Sequence, residues 1–198
     1  MRSTVRDWKR RNAVVALVAL AIAASVTLAW LSSRGLPKRF GVVVPGQLYR
    51  SGEVSPRQLE QVAREHGINT VLSLLNPDVP ESIAERQAAE RLGVRWVNVP
   101  LRGDGSSTPA DRELIKETLF DPAARPLLVH CAAGANRTGL TIGMYRMYVD
   151  GWTPEQVLAE MRTYDFEDLP KHENLRAALR AEWEAIRKEQ ETPQVEEP

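Results

Sequence analysis

The chain has 198 residues, and its 26 lysine and arginine residues balance its 26 aspartate and glutamate residues. This length suits one domain of ordinary size, and the balanced charge argues against a nucleic-acid-binding protein that relies on overall positive charge. The single cysteine, Cys131, excludes an intramolecular disulfide bond and a zinc site that needs two or more cysteines from one chain.

The N-terminal part combines a basic flank with a long uncharged run. Residues 1–12 hold five basic residues and one aspartate, and the 19 residues from 13 to 31 hold no charge. As a helix this run would span roughly 28 Å, close to the thickness of the membrane hydrocarbon layer. We therefore expect an uncleaved transmembrane helix over residues 13–31, with a cleaved signal peptide as the alternative. Fewer basic residues follow the run, which predicts a cytoplasmic N-terminus and residues 32–198 outside.

The rest of the sequence divides into a linker, an α/β domain and a tail. Residues 32–39 contain serine, glycine and proline, as linkers do, and residues 40–187 alternate strand and helix patterns. Several strand patterns are continuously apolar, which is typical of strands covered on both faces of a parallel sheet. The acidic residues 188–198 offer little to bury and are predicted to be disordered. The predicted strands cover residues 40–44, 47–49, 70–75, 96–101 and 126–130.

Three helix starts are marked by a serine or threonine followed by proline. Ser55, Thr108 and Thr153 each have a glutamine or aspartate three positions later, which is the spacing of a capping box or its shorter acidic variant.

The alternation of elements predicts an α/β fold, with a mainly parallel central sheet flanked by helices. In such sheets ligands bind beyond the carboxyl ends of the strands. Further helices are predicted over residues 81–92, 138–150 and 171–187.

The segment after the last predicted strand has the composition of an anion-binding loop. Small residues between Cys131 and Arg137 let the backbone turn tightly and point its N–H groups inward, at the positive end of the following helix. This field favours the thiolate form of Cys131, and the Arg137 guanidinium can donate two parallel hydrogen bonds to phosphate oxygens. The segment reads His130, Cys131, Ala132, Ala133, Gly134, Ala135, Asn136, Arg137, Thr138 and Gly139.

This His-Cys-x5-Arg-Thr-Gly pattern, at a strand-to-helix junction, resembles the cysteine-dependent protein tyrosine phosphatases, and among them the compact microbial dual-specificity phosphatases. The resemblance covers about residues 40–165, including residues 48–52 and the Gly151-Trp152 turn. It implies the cysteine-based phosphatase fold and hydrolysis of phosphomonoesters through a phosphocysteine intermediate, without a metal or other cofactor. Together with the predicted helix, it implies a single-pass protein of the bacterial inner membrane.

The resemblance also implies a role for each residue of the loop. Cys131 would attack phosphorus, while Arg137 and the backbone N–H groups of residues 132–137 would hold the phosphate oxygens. Thr138 would stabilise the thiolate as it leaves. His130 would brace the loop rather than transfer protons.

In this family the general acid is an aspartate from a loop upstream of the cysteine, after the preceding strand. Asp104 lies just beyond the strand predicted at 96–101, between two glycines that let the loop close over substrate. Asp111 is the alternative, although its place three residues after Thr108 gives it a role at a helix start. Asp78 is a third candidate.

The expected substrate is phosphotyrosine or another phosphomonoester, because family members that act on highly phosphorylated inositides often carry lysine in the loop. Lys38, Arg39, Arg50 or Arg102 could supply charge from outside the loop, so a phosphoinositide or inositol phosphate substrate stays open. A non-catalytic module that binds phosphorylated ligands is the other alternative.

No nucleic-acid partner is expected, and His172 is interpreted as a surface or capping residue.

Overall fold

The computed structural model describes residue 12, residues 15–22 and residues 35–191. The chain divides into two units, Met1–Leu36 and Pro37–Pro198. In the first unit, residues 15–22 are helical and exposed. The second unit contains the sheet, its helices and the segment with Cys131.

The prediction of a transmembrane helix over residues 13–31 is wrong, and with it the membrane location and orientation. Within the described part of the chain, no helix combines the length and the apolar character needed to cross a membrane. The rest of the predicted span and the basic flank before residue 12 lie outside the described residues.

Within residues 35–191, a five-stranded sheet forms the centre of the second unit. Its strands are β1 (Gly41–Val44), β2 (Leu48–Ser51), β3 (Thr70–Ser73), β4 (Arg95–Asn98) and β5 (Leu127–His130). The order across the sheet is β1-β2-β5-β3-β4. β1 pairs antiparallel with β2, whereas the other three pairings are parallel. The predicted α/β fold with a mainly parallel central sheet flanked by helices is confirmed.

Six α-helices accompany the sheet in the same described range. They are α1 (Pro56–His66), α2 (Pro80–Leu92), α3 (Pro109–Leu119), α4 (Asn136–Asp150), α5 (Pro154–Arg162) and α6 (Glu173–Glu191). The predicted capping boxes at Ser55, Thr108 and Thr153 are confirmed at the starts of α1, α3 and α5. In each box the hydroxyl accepts the N–H of the third helical residue, whose own side chain accepts the N–H of the capping residue.

Helix α6 continues beyond its predicted end at residue 187, so the predicted disordered tail begins too early. The helix runs to Glu191, where an ion pair with Arg187 at 3.0 Å supports the last turn. Residues 192–198 lie outside the described residues.

The carboxyl ends of the four parallel strands meet at one edge of the sheet. Ser51, His130, Ser73 and Asn98 are register partners across β2, β5, β3 and β4. All residues of β2, β3 and β5 are buried, so the strands that lead to this edge are part of the protein core. The loops that follow these strands therefore lie side by side, with Cys131 near the middle.

Candidate active site

Cys131 directly follows β5 and begins a tight loop. The residue is buried, and its Sγ accepts a hydrogen bond from the Gly134 N–H at 3.2 Å. Gly134 has a φ of +77°, and a Cβ at this position would lie 2.6 Å from the backbone nitrogen of Gly52. Both the conformation and the close approach require glycine. The loop can therefore turn back on Cys131 and direct an N–H at its sulfur.

The carbonyl oxygens of three successive loop residues are bound by the segment 39–53. In a trans peptide the N–H of the next residue points away from the carbonyl. Binding the carbonyls from one side therefore turns the N–H groups of residues 133–135 away from segment 39–53. The hydrogen bonds run from Glu53 N to Ala132 O (3.1 Å), from Arg39 Nη1 to Ala133 O (2.7 Å) and from Arg50 Nη2 to Gly134 O (2.8 Å).

Arg50 is a fully buried cation beside the loop. Its guanidinium stacks on the Tyr164 ring, 3.6 Å from the ring centroid. Burial lowers the pKa of Arg50 below its ordinary value, and Nε and Nη1 have no hydrogen-bond partner among the described residues. Its charge adds to the positive potential around Cys131. The interpretation of Arg50 as a charge reaching substrate from outside the loop does not fit this burial.

Arg137 lies in the first turn of α4 and is anchored at one nitrogen. Its Nη1 donates to the carbonyl oxygens of Leu74 at 3.1 Å and Leu101 at 3.2 Å, which follow β3 and β4. These two bonds use both protons of Nη1. Among the described residues, this arrangement leaves the edge formed by Nε and Nη2 as the one that can hold two oxygens of a phosphate group.

His130 is braced from helix α2. The residue is completely buried, and its Nε2 lies 2.8 Å from Glu85 Oε1, which also accepts the indole N–H of Trp96 at 3.0 Å. This contact fits the predicted bracing role of His130. Sequence reasoning missed Glu85, although its place in the buried stripe of α2 was an available signal, because a buried carboxylate needs a partner. Thr138 is buried as well, and its hydroxyl donates to Ser51 O at 3.4 Å.

Asp104 lies in the loop after β4, and this loop is seated on the start of α6. Its Oδ1 accepts the Ser106 N–H at 2.9 Å, and Oδ2 lies 3.5 Å from Asn174 Nδ2. These bonds, the Ser106 N–H foremost, lower the pKa of Asp104 below its ordinary value. Gly105, with a φ of +84°, packs so closely on Leu175 that a Cβ would lie 2.7 Å from its Cδ1. The bonds to Asp104 therefore favour the ionised form of its carboxyl group.

The other two candidate acids occupy different settings. Asp111 Oδ2 accepts the N–H of Thr108 at 2.7 Å and its hydroxyl at 2.8 Å, so its carboxylate caps α3. Asp78 is exposed in the turn before α2. The loop from Cys131 to Arg137 is called the phosphate loop below. The Asp104 loop contacts it through Asn136 Nδ2, which lies 3.4 Å from the Gly103 carbonyl oxygen. The described residues contain no group of three His, Cys, Asp or Glu side chains placed to hold a metal ion.

Comparison with known proteins identifies relatives over most of the second unit. The tyrosine phosphatase family model matches residues 36–192. Dual specificity protein phosphatase TpbA from Pseudomonas aeruginosa is 30% identical over 121 residues, covering 61% of this chain and 52% of TpbA. Inositol diphosphatase SIW14 from Saccharomyces cerevisiae is 26% identical over 135 residues, covering 66% of this chain and 46% of SIW14. The chain therefore spans about half the length of these relatives.

Solved structures show the same fold. A crystal structure of P. aeruginosa TpbA has a TM-score of 0.55 and 26% identity, covering 75% of this chain and 96% of that one. A TpbA variant has also been crystallised in complex with phosphotyrosine, at the same TM-score and identity, covering 75% of this chain and 95% of that one. The Siw14 catalytic core has a TM-score of 0.60 and 21% identity, covering 78% of this chain and 93% of that core.

Proposed function

Because the chain belongs to the tyrosine phosphatase family, we propose that it hydrolyses phosphomonoesters through a phosphocysteine intermediate on Cys131. The observation that carries this proposal is the construction of the loop. Its carbonyl oxygens are bound by the segment 39–53, its Gly134 N–H points at the sulfur, and Arg137 is anchored through Nη1. A cysteine nucleophile and a set of donors for phosphate oxygens are thereby collected in one loop.

The reaction proceeds in two steps. In the first, the Cys131 thiolate attacks phosphorus, the S–P bond forms and the P–O bond to the leaving group breaks. Asp104 gives a proton to the leaving oxygen, while Arg137 and the loop N–H groups hold the other phosphate oxygens. In the second, Asp104 takes a proton from water, the water oxygen attacks phosphorus and the S–P bond breaks. Thr138 stabilises the released thiolate.

The first step requires a protonated Asp104, although the Ser106 N–H lowers the pKa of this carboxyl. A bound phosphate group supplies the opposite effect, because a nearby like charge disfavours the ionised carboxylate and raises its pKa. Substrate binding and proton uptake by Asp104 are thus coupled.

Phosphotyrosine in proteins is the substrate class that the site favours. Ala132 and Ala133 are exposed on the loop and carry no charge that would recognise a second phosphate group. Arg39 and Arg50 bind loop carbonyls, so their charge supports the loop. The relatives include TpbA, which is named a dual specificity protein phosphatase. A variant of TpbA has been crystallised in complex with phosphotyrosine.

An inositol phosphate is the second candidate substrate. SIW14, an inositol diphosphatase by its name, matches this chain at 26% identity. The exposed side chains of Lys38, beside the segment that supports the loop, and of Arg102, in the Asp104 loop, could bind additional phosphate groups. Comparing phosphotyrosine peptides, phosphoserine peptides and inositol phosphates as substrates of the same protein separates the two candidates.

Hydrolysis of p-nitrophenyl phosphate by the full chain, in the presence of EDTA, tests the reaction. Cys131→Ser should abolish turnover and leave the circular dichroism spectrum unchanged. Asp104→Asn should lower kcat by about 10²–10⁴-fold on phenyl phosphate, whose poor leaving group needs the general acid, and by less on p-nitrophenyl phosphate. Asp111→Asn is the matched control, because asparagine keeps a side-chain oxygen for the Thr108 cap, and its activity should stay close to wild type.

Three results would contradict this mechanism. Equal activity of Cys131→Ser and the wild type would exclude the phosphocysteine intermediate. A loss of activity in Asp111→Asn, with Asp104→Asn unaffected, would transfer the acid role to Asp111. A wild type that binds phosphotyrosine peptides without hydrolysing them would instead support a non-catalytic binding module.

A further inference from the structure

A chain of hydrogen bonds links the segment before α6 to the loop that carries Asp104. Asn136 Nδ2 lies 3.1 Å from His172 Nε2 and 3.4 Å from the Gly103 carbonyl oxygen. On the other side of the ring, His172 Nδ1 lies 2.7 Å from the Glu167 carbonyl oxygen. The proposed two-step reaction gives His172 no role. Only 5% of the residue is exposed, so it does not belong to the surface.

The partners fix the direction of every bond in this chain. A carbonyl oxygen only accepts, so His172 Nδ1 carries the proton and donates it to Glu167. In the neutral ring, Nε2 is then an acceptor and takes one amide proton of Asn136. The second amide proton of Asn136 points at Gly103 O. If the Asn136 amide were reversed, its oxygen would face two other acceptors, so one arrangement satisfies all groups.

The histidine itself is held firmly in place. Its ring packs against Phe166 with centroids 5.3 Å apart, and its backbone N–H donates to Leu169 O at 3.0 Å. Three residues further on, Leu175 packs against Gly105 of the Asp104 loop. The start of α6 therefore offers a rigid seat for this loop, and the amide of Asn136 connects the seat to the phosphate loop.

We propose that His172 is a positioning residue that sets the place of the Asp104 loop relative to the phosphate loop by fixing the Asn136 amide. This inference rests on the proposed function, because it concerns the delivery of the Asp104 proton. His172 touches none of the reacting atoms. Its loss should therefore impair protonation of the leaving group, while attack by Cys131 and phosphate binding by Arg137 remain.

Two substrates that differ in their leaving group separate these effects. Phenyl phosphate has a poor leaving group and depends strongly on the general acid, whereas p-nitrophenyl phosphate has a good one. His172→Phe keeps an aromatic ring against Phe166 but removes both ring nitrogens. In the full chain it should lower kcat on phenyl phosphate by about 10–100-fold, as a small misplacement of a catalytic group does. The loss on p-nitrophenyl phosphate should be much smaller, with inhibition by inorganic phosphate unchanged.

Two further variants serve as control and rescue. His66→Phe makes the same exchange at the end of α1, where the ring stacks on Phe40 and Tyr49, and it should keep the wild-type ratio of the two rates. His172→Gln retains a side-chain acceptor for the Asn136 amide and should recover part of the lost rate on phenyl phosphate. If His172→Phe does not fold, Asn136→Ala cuts the same chain of bonds and should give the same selective loss.

The outcomes distinguish this inference from the proposed function. A wild type that is active on both substrates, with His172→Phe slowing both equally or neither, overturns the inference and leaves the proposed function standing. A wild type that hydrolyses neither substrate overturns the proposed function and the inference together. A selective loss on phenyl phosphate in His66→Phe would show that the leaving-group effect is unrelated to the Asn136 amide.

Discussion

Replacing Gly134 by alanine tests how closely the phosphate loop is packed against the end of β2. The added Cβ would lie 2.6 Å from the nitrogen of Gly52 and 2.7 Å from the carbonyl carbon of Ser51. Both are backbone atoms, so neither can rotate away as a side chain would. The φ of +77° is in addition a conformation that alanine adopts only at a cost.

Gly93 allows the two effects to be separated. Its φ is +69°, but no atom lies within 4 Å of an added Cβ. Gly93→Ala should therefore show the conformational cost alone, roughly 1–2 kcal/mol of unfolding free energy. Gly134→Ala adds the overpacking of a closely packed backbone, about 1–3 kcal/mol. The expected totals are about 2–5 kcal/mol for Gly134→Ala and about 1–2 kcal/mol for the control.

Urea unfolding of the full chain, followed by tryptophan fluorescence, measures these losses. With a slope of about 1–3 kcal/mol per molar urea, Gly134→Ala should lower the midpoint by roughly 0.7 M or more. It should also lower the rate on p-nitrophenyl phosphate, because the Gly134 N–H is the donor to Cys131 Sγ. Equal midpoints for the two variants, together with wild-type activity of Gly134→Ala, would refute the reasoning.

Two more variants test the acid loop and a buried ion pair. Asn174→Ala removes a donor to Asp104, so the pKa of this carboxyl rises and the alkaline limb of kcat/KM should move to higher pH; a shift to lower pH would contradict this. Burial raises the pKa of Glu182, but the bond from Arg112 at 2.6 Å and the charge of Lys116 outweigh it and lower the pKa. The pair therefore stabilises the fold fully at pH values above the pKa of Glu182 in the unfolded chain. This stabilisation is lost as the pH falls through the lower pKa of Glu182 in the folded state. Glu182→Gln should be about 3 kcal/mol less stable at neutral pH and lose stability less steeply in acid, measured by urea midpoints against pH.

The parts of the structure that could be predicted from the sequence are governed by local rules. The capping boxes at Ser55, Thr108 and Thr153 each lie within four residues, so hydrogen bonding between neighbours decides them. The junction from β5 to α4 is equally local, because a buried strand, small residues and a helix start follow one another. Such features leave a readable pattern even without knowledge of the tertiary fold.

The contacts that support the site are mostly not local. Glu85 and His130 are 45 residues apart, and Asn136 and His172 are 36 apart. A periodic pattern shows which positions are buried but not which of them meet. For Arg50, an error of two residues in the predicted end of a strand led to a wrong expectation about the exposure of its side chain. The strand predicted at 47–49 ends before Arg50, whereas β2 continues to Ser51 between β1 and β5, and this position buries the arginine completely.

In the proposed reaction, the residues between Cys131 and Arg137 would bind phosphate without charged side chains, and this changes what their composition indicates. The segment 39–53 holds the loop carbonyls, Arg50 brings a buried positive charge, and Arg137 is anchored by the loops after β3 and β4. These supports meet because the strand ends share one register. Affinity for one phosphate group would thus come from backbone N–H groups and from arginines outside the run of small residues. Ala132 and Ala133 would instead affect selectivity, because two uncharged side chains give a second phosphate group on a substrate nothing to bind at this position.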